Sequence, residues 1–122
     1  MLTKIRLELA RCPEFPEGSA KHGYLLTLPL CEDGALDLSH GRHVAEKCRF
    51  ERFWNGEPPD VGHIERHGHG WSLAFEDDPD APREPIFRAE GHRFLPGEYL
   101  TIKERDGEQR TFRIAAIWAT PN

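Results

Sequence analysis

The sequence contains no long apolar run. No stretch of its 122 residues approaches the roughly 20 apolar residues that a membrane-spanning helix needs. The first nine residues carry a charge at every second position from Lys4 to Glu8, unlike the continuous apolar core of a signal peptide. We therefore expect no membrane association and a location in the cytoplasm.

Cysteines are few, and no two of them have the Cys-x-x-Cys spacing. The three are Cys12, Cys31 and Cys48. An odd number without an apolar leader is typical of proteins from a reducing compartment. We expect Cys31 and Cys48 to face the core as small apolar side chains, and this composition agrees with a cytoplasmic protein.

An excess of positive charge is also missing. Twenty-one acidic residues against sixteen basic ones give a formal net charge of −5, whereas non-specific binding of nucleic acid needs clustered Lys and Arg. Residues 40–54 nevertheless interleave basic and aromatic side chains, which can engage phosphates and stack on bases. These side chains are Arg42, Lys47, Arg49, Arg52, Phe50, Phe53 and Trp54. Weak nucleic-acid binding through this stretch is therefore an alternative function, although nucleic acid is not the expected partner.

Long amphipathic helices are absent, and ten prolines and eleven glycines interrupt the chain frequently. Short apolar runs, most of them alternating, take their place and predict strands. The predicted strands lie within residues 4–10, 24–30, 48–54, 61–66, 71–75 and 86–87 and in the hairpin 98–118, with a brief alternation at 36–38 and one helical turn at 44–47. Seven to eight short strands indicate one all-β domain over residues 1–122, built as a small antiparallel β-barrel or a compact sandwich.

Residues 94–118 predict a C-terminal β-hairpin. Two alternating apolar runs flank Asp106-Gly107, which is a strong short-range hairpin signal. A three-residue loop that ends at Gly107 sets Leu100 opposite Phe112 and gathers the apolar residues on one face, whereas a two-residue loop mixes the faces. The predicted inward face consists of Leu100, Ile102, Phe112, Ile114, Ala116 and Trp118. Gly107 would then be the left-handed bulge residue.

Three histidines fall within seven residues of the chain, at positions 63, 67 and 69. On one strand His63, His67 and His69 share a face, and neutral imidazoles suit zinc, copper, iron or nickel. His92 is a candidate fourth ligand if its strand lies adjacent. The same glycine-rich segment also fits a polar, exposed turn between strands. Two interpretations therefore stay open, a divalent metal site and a solvated turn.

Several patches of the sequence stand out together. They are Phe15-Pro16-Glu17-Gly18, His22-Gly23-Tyr24, Pro29-Leu30, Arg49-Phe50-Glu51-Arg52-Phe53-Trp54, and Phe94 with Pro96-Gly97-Glu98-Tyr99. In combination they resemble a set of small, uncharacterised bacterial single-domain proteins. Because no activity goes with that set, the resemblance implies only a bacterial origin and a self-contained domain.

A second resemblance concerns the histidine segment. His67-Gly68-His69 is similar to the His-x-His of the cupin metal motif, and Leu95-Pro96-Gly97 is similar to the Pro-Gly turn that follows it. This likeness implies a metal-binding barrel or a metal-dependent enzyme. The sequence lacks the Glu that the family places shortly after its second His, since Glu76 is too distant, and it lacks a later His after the turn.

No complete catalytic motif is present. The sequence has no Gly-x-Ser-x-Gly, phosphate-binding glycine loop, dinucleotide fingerprint or His-Glu-x-x-His. The leading hypothesis is therefore a non-catalytic binding or interaction module with a protein partner. The predicted contact regions are the acidic loop 76–84 and the histidine segment. Because Trp and Arg are enriched in binding hot spots, the predicted binding surface consists of Arg49, Arg52, Trp54 and Trp71.

Overall fold

A computed structural model describes residues 2–34, 47–67, 70–77, 84–87, 94–104 and 106–119, with the backbone alone for 66–67, 70–71 and 84–87. Every regular element in these ranges is a β-strand, and none is a helix that could cross a membrane. The strands are β1 (Leu2–Leu9), β2 (Ser19–Pro29), β3 (Arg49–Trp54), β4 (Asp60–His67), β5 (Gly70–Phe75), β6 (Glu84–Phe87), β7 (Tyr99–Lys103) and β8 (Gln109–Ala119). The predicted all-β class is confirmed.

The eight strands of the described part form a closed antiparallel barrel in sequence order. Each strand pairs with the next one along the chain, and β8 pairs with β1 to complete the ring. Closure gives the backbone N–H and C=O groups of the first and last strands a partner, so neither remains an open edge. The architecture is therefore the barrel and not the sandwich.

Side chains that point inward from the strands fill the interior of the barrel. Successive residues of a strand point to opposite faces of the sheet, so every second residue of each strand turns inward. The buried apolar residues are Ile5, Leu7, Leu9, Tyr24, Leu26, Leu28, Cys48, Phe50, Ile64, Leu73, Phe75, Phe94, Leu100, Ile102, Phe112 and Ile114. Their side chains make the interior a packed core, as in other small barrels.

The C-terminal hairpin has the predicted register. Leu100 lies opposite Phe112, and the N–H of Glu104 donates to the carbonyl oxygen of Glu108 at 2.8 Å across the three-residue loop. Gly107 adopts a φ of 86°, which side chains disfavour. The hairpin prediction is therefore confirmed for its pairing and for its bulge residue.

The predicted inward positions of Ala116 and Trp118 are wrong. β8 pairs Ile114 with Leu7 but Ala116 with Arg6, so Ala115 is an extra residue in β8. Such a bulge inverts the alternation beyond it. Ile117 consequently packs against the core, and Trp118 is 43% exposed on the outer surface.

The predicted positions of the cysteines have different outcomes. Cys48 is buried, and burial raises the pKa of its thiol to about 11, which fits a core residue. Cys31 is exposed, so its predicted core position is wrong. It lies beyond the last residue of β2 and so outside the alternation that turns side chains inward. The predicted helical turn at 44–47 falls almost wholly outside the described residues.

The two ends of the barrel carry different side chains. Because neighbouring strands run in opposite directions, the last residues of β1, β3, β5 and β7 lie at one end of the barrel, which we call the Glu104 end. The other end is closed by Phe94, which is 1% exposed. The N–H of Phe94 donates to the carbonyl oxygen of Gly34 at 2.8 Å, so the segment that follows β2 meets the segment that precedes β7. We call this the Phe94 end.

Gly23 and Gly107 require glycine for different reasons. A Cβ atom added at Gly23 would lie 1.9 Å from the carbonyl oxygen of Leu7, whereas one added at Gly107 would meet nothing within 4 Å. We expect Gly23→Ala to lower the free energy of unfolding by about 3 kcal/mol through overpacking. Gly107→Ala should cost only about 1 kcal/mol, for its positive φ. Urea unfolding of both variants measures this difference, and equal losses would contradict the close approach of β1 and β2.

Candidate functional site

The inward alternation continues past the apolar core and places polar residues at the Glu104 end. Arg52 follows Phe50 by two positions in β3, Glu104 follows Ile102, and Arg110 precedes Phe112. Tyr24 extends its hydroxyl into the same layer from β2. A cluster of charged side chains therefore occupies the interior where β7 ends and β8 begins.

Glu104 is the centre of this cluster and is 4% exposed. Its Oε2 accepts hydrogen bonds from the Tyr24 hydroxyl at 2.5 Å and from Arg52 Nε at 2.9 Å. Its Oε1 accepts from Arg110 Nη1 at 2.8 Å. Three donors, two of them charged, compensate the carboxylate for the water that it loses on burial.

The Glu104–Arg52 contact joins opposite walls of the barrel. In a ring of eight strands, β3 and β7 are separated by three strands in either direction. The ion pair at 2.9 Å therefore spans the interior, while Tyr24 and Arg110 tie the adjacent strands β2 and β8 to the same carboxylate. We call these four residues the Glu104 cluster.

Trp54 lies over the Glu104 cluster. The guanidinium carbon of Arg52 lies 4.0 Å from the centre of the Trp54 ring system, and that of Arg110 lies 5.6 Å from it. These are cation–π distances. Burial alone would lower the pKa of Arg52, but the hydrogen bond and charge of Glu104 outweigh it, so the pKa is raised. Both guanidinium groups therefore stay charged beneath the tryptophan.

Carboxylates surround the two arginines on the solvent side as well. Arg110 also pairs with Asp106 at 3.0 Å and with Glu14 at 3.5 Å, and Arg52 lies 4.0 Å from Glu57. The pKa of Asp106 is lowered, chiefly by the hydrogen bond from the N–H of Glu108 and further by Arg110. The positive charges are thus fully matched, and the cluster closes the mouth of the barrel without offering a site for an anion.

His22 completes the cover at the Glu104 end. Its ring lies 4.6 Å from that of Phe15 and meets Trp54 edge-on at 4.5 Å. Ser19 Oγ lies 2.7 Å from His22 Nδ1. The N–H of Lys21 donates to the same oxygen at 3.2 Å, so Ser19 joins the His22 ring to the backbone of β2. Burial, and next the charge of Arg52, lower the pKa of His22, which keeps the imidazole neutral.

The structure separates the residues of the predicted binding surface. Arg52 and Trp54 come together at the Glu104 end, whereas Arg49 is exposed on the outer face of β3, where its Nη2 donates to Glu76 Oε1 at 2.5 Å. The side chain of Trp71 is outside the description, and so are residues 78–83 of the acidic loop. The predicted surface as a set stays a prediction.

The predicted metal ligands fall mostly outside the described residues. His63 is exposed, with Nδ1 3.6 Å from Glu76 Oε1. The side chain of His67 and all of His69 and His92 lie outside the description. Within the part of the chain that is described, no three His, Cys, Asp or Glu side chains converge as metal ligands. The four-histidine site stays a prediction.

A groove runs along the outer face of β2 and β3, next to Trp54. We call it the β2–β3 groove, and its volume is about 390 Å³. Leu25, Phe53, Trp54 and Pro59 give it apolar walls, and charged residues lie at its borders. The guanidinium of Arg6 lies 4.5 Å above the Phe53 ring. This groove is a second feature of the surface around Trp54.

The Glu104 cluster and the β2–β3 groove were not predicted from the sequence, although Arg52 and Trp54 were predicted as binding residues. The signal for the cluster is present, because the register that turns Ile102 and Phe112 inward also turns Glu104 and Arg110 inward. For the groove, the signal is the position of Phe53 in β3. It lies three residues after the buried Phe50, so the alternation of the strand turns it outward, where a charged residue is expected. A search of the predicted strands for charged residues that point inward and aromatic residues that point outward would have found both features.

Comparisons of the chain with protein-family models, with curated proteins and with solved structures give no match.

Removal of the charge at Glu104 tests the cluster. We expect Glu104→Gln to lower the free energy of unfolding by about 3 kcal/mol, because Arg52 and Arg110 would keep their charges in a buried layer without a carboxylate. The matched control is Glu98→Gln, which removes the same charge from an exposed position and should change stability by less than about 0.5 kcal/mol. Urea unfolding measures both variants, and similar losses would contradict a role for the buried charge.

Proposed function

We propose that the protein is a non-catalytic interaction module of a bacterial cytoplasm, and that the β2–β3 groove binds an extended segment of a partner protein. The observation that carries this proposal is the packed interior, with Phe94 at one end and the Glu104 cluster at the other. A filled barrel leaves its outer surface for recognition. Small barrels that carry ligands inside have an open cavity instead.

The chemistry of the groove indicates what kind of segment would fit. Leu25, Phe53 and Pro59 present an apolar surface suited to an aliphatic or aromatic anchor side chain. Val61, which is 45% exposed, extends this surface onto β4, because it lies opposite Glu51 of β3. Contiguous apolar surface on the outside of a barrel is typical of a protein contact.

Charges at the borders would orient the segment. Arg6 and Lys21 line the side of the groove near β1 and β2, whereas Glu51 and Glu57 line the side near β3. We expect the partner to carry an acidic residue on one side of its apolar anchor and a basic residue on the other. Complementary charge of this kind gives orientation and specificity more than affinity.

Trp54 supports the proposal because its ring is held in place before any partner arrives. Arg52 stacks beneath it at 4.0 Å and His22 packs against its edge at 4.5 Å. A side chain that is already fixed loses little conformational entropy on binding. Trp and Arg are also the residues most often found in binding hot spots.

The proposed location in the cytoplasm rests on the state of the cysteines. The three thiols, Cys12, Cys31 and Cys48, are all free of disulfides, which is usual in a reducing compartment. The bacterial origin rests on the resemblance to small bacterial single-domain proteins.

Selection of peptides from a random library tests the groove. We expect peptides selected on the immobilised protein to share one aliphatic or aromatic residue flanked by charges. Their binding should fall at least about tenfold on Phe53→Ser, because the anchor loses its apolar contact. The matched control is Trp118→Ser, which removes another half-exposed aromatic residue from β8 and should leave binding unchanged.

Far-ultraviolet circular dichroism of both variants checks that the barrel stays folded. The proposal fails if the selected peptides bind Phe53→Ser as tightly as the unchanged protein, or if Trp118→Ser weakens them equally.

A further inference from the structure

A second groove lies on another wall of the barrel, between β8 and the segment that joins β1 to β2. We call it the β1–β8 groove, and its volume is about 740 Å³. Sites for small molecules have volumes of about 300–1,000 Å³, so the groove is large enough for a ligand of the size of a nucleotide. None of its lining residues is shared with the β2–β3 groove. Arg6 of that groove donates to Glu8 and to the carbonyl oxygen of Ala20, which line this one, so the Arg6 side chain separates the two grooves.

Two arginines line this groove with charges that are weakly compensated. Arg113 Nη2 lies 3.9 Å from Glu8 Oε1, but the Glu8 carboxylate already accepts a hydrogen bond from Arg6 Nε at 2.9 Å. Arg11 is exposed and forms no ion pair with any described residue. Guanidinium groups in this situation can bind phosphate or carboxylate with two parallel hydrogen bonds.

An aromatic surface lies directly beside the arginines. Tyr99 of β7 is the cross-strand neighbour of Arg113 and is 54% exposed. Tyr99 has the largest exposed fraction among the large hydrophobic residues of the described chain, and it lines this groove. An exposed tyrosine ring can stack on a planar group of a ligand.

Acidic and hydroxyl groups of the groove limit what it can bind. Glu17 lines it and is exposed, so Glu8 and Glu17 balance Arg11 and Arg113, and the groove carries no net charge. A groove without net charge suits a ligand of low charge more than a polyanion. Ser19 also lines the groove, and its Oγ is already hydrogen-bonded to His22 Nδ1 and to the N–H of Lys21.

We propose that the β1–β8 groove binds a small anion that carries an aromatic ring, with the phosphate or carboxylate on Arg11 and Arg113 and the ring on Tyr99. This inference does not depend on peptide binding in the β2–β3 groove, because it uses different lining residues. It gives a role to the exposed tyrosine and to two arginines that take no part in the Glu104 cluster.

Nuclear magnetic resonance titration of the full ¹⁵N-labelled chain tests the proposal, with adenosine monophosphate, phenylacetate and adenosine as probes. We expect at least one of the two anions to shift the amide signals of Arg11, Tyr99 and Arg113, and adenosine to bind more weakly. The phosphate and carboxylate probes distinguish the two anion classes. Binding should weaken as salt rises to about 0.1 M, because the arginines are exposed to solvent.

Two variants separate the site from general attraction to positive charge. Arg113→Gln should weaken the bound anion about tenfold, through loss of a charge-assisted pair. Lys103→Gln, an exposed charge of β7 that does not line the groove, should weaken it less than about twofold. The proposal is overturned if neither anion shifts the groove signals at millimolar concentration, or if both variants weaken binding equally.

Discussion

The buried ion pair between Glu104 and Arg52 is the constraint on which the rest of the structure depends. It joins β7 to β3 across the interior of the barrel, and the Tyr24 hydroxyl and Arg110 complete the coordination of the same carboxylate. A buried carboxylate is costly unless its hydrogen bonds are complete. Movement of any one of the four strands would therefore expose an uncompensated charge, and this cost holds the mouth of the barrel closed.

A closed barrel directs function to its outer surface, and Trp54 connects the two regions. One side of the residue covers the Glu104 cluster, with Arg52 stacked on it, and the residue also lines the β2–β3 groove. The interior charges thus position an aromatic side chain that is available to a partner. The β1–β8 groove lies on a different wall and has other chemistry, because it combines Tyr99 with two weakly compensated arginines.

Much of the fold follows from the sequence, because local alternation decides it. Ile5, Leu7 and Leu9 point inward as their spacing predicts, and Gly107 takes the left-handed conformation that the hairpin register requires. The bulge at Ala115 could not be predicted in this way. It arises where β8 adjusts to β1, more than 100 residues away in the chain, and the period-two pattern beyond it is inverted.

The Glu104 cluster shows the same limit. The register of the hairpin shows that Glu104 and Arg110 point inward. It does not show that Tyr24 and Arg52 are partners of Glu104, since they lie 80 and 52 residues from it in the chain. Only the closed ring brings them together. A double-mutant cycle with Glu104→Gln and Arg52→Gln, followed by urea unfolding, tests this account most directly. A favourable coupling of about 1 kcal/mol or more is predicted for a contact in the same network. Additive losses, with no coupling, would contradict the ion pair that joins the opposite walls.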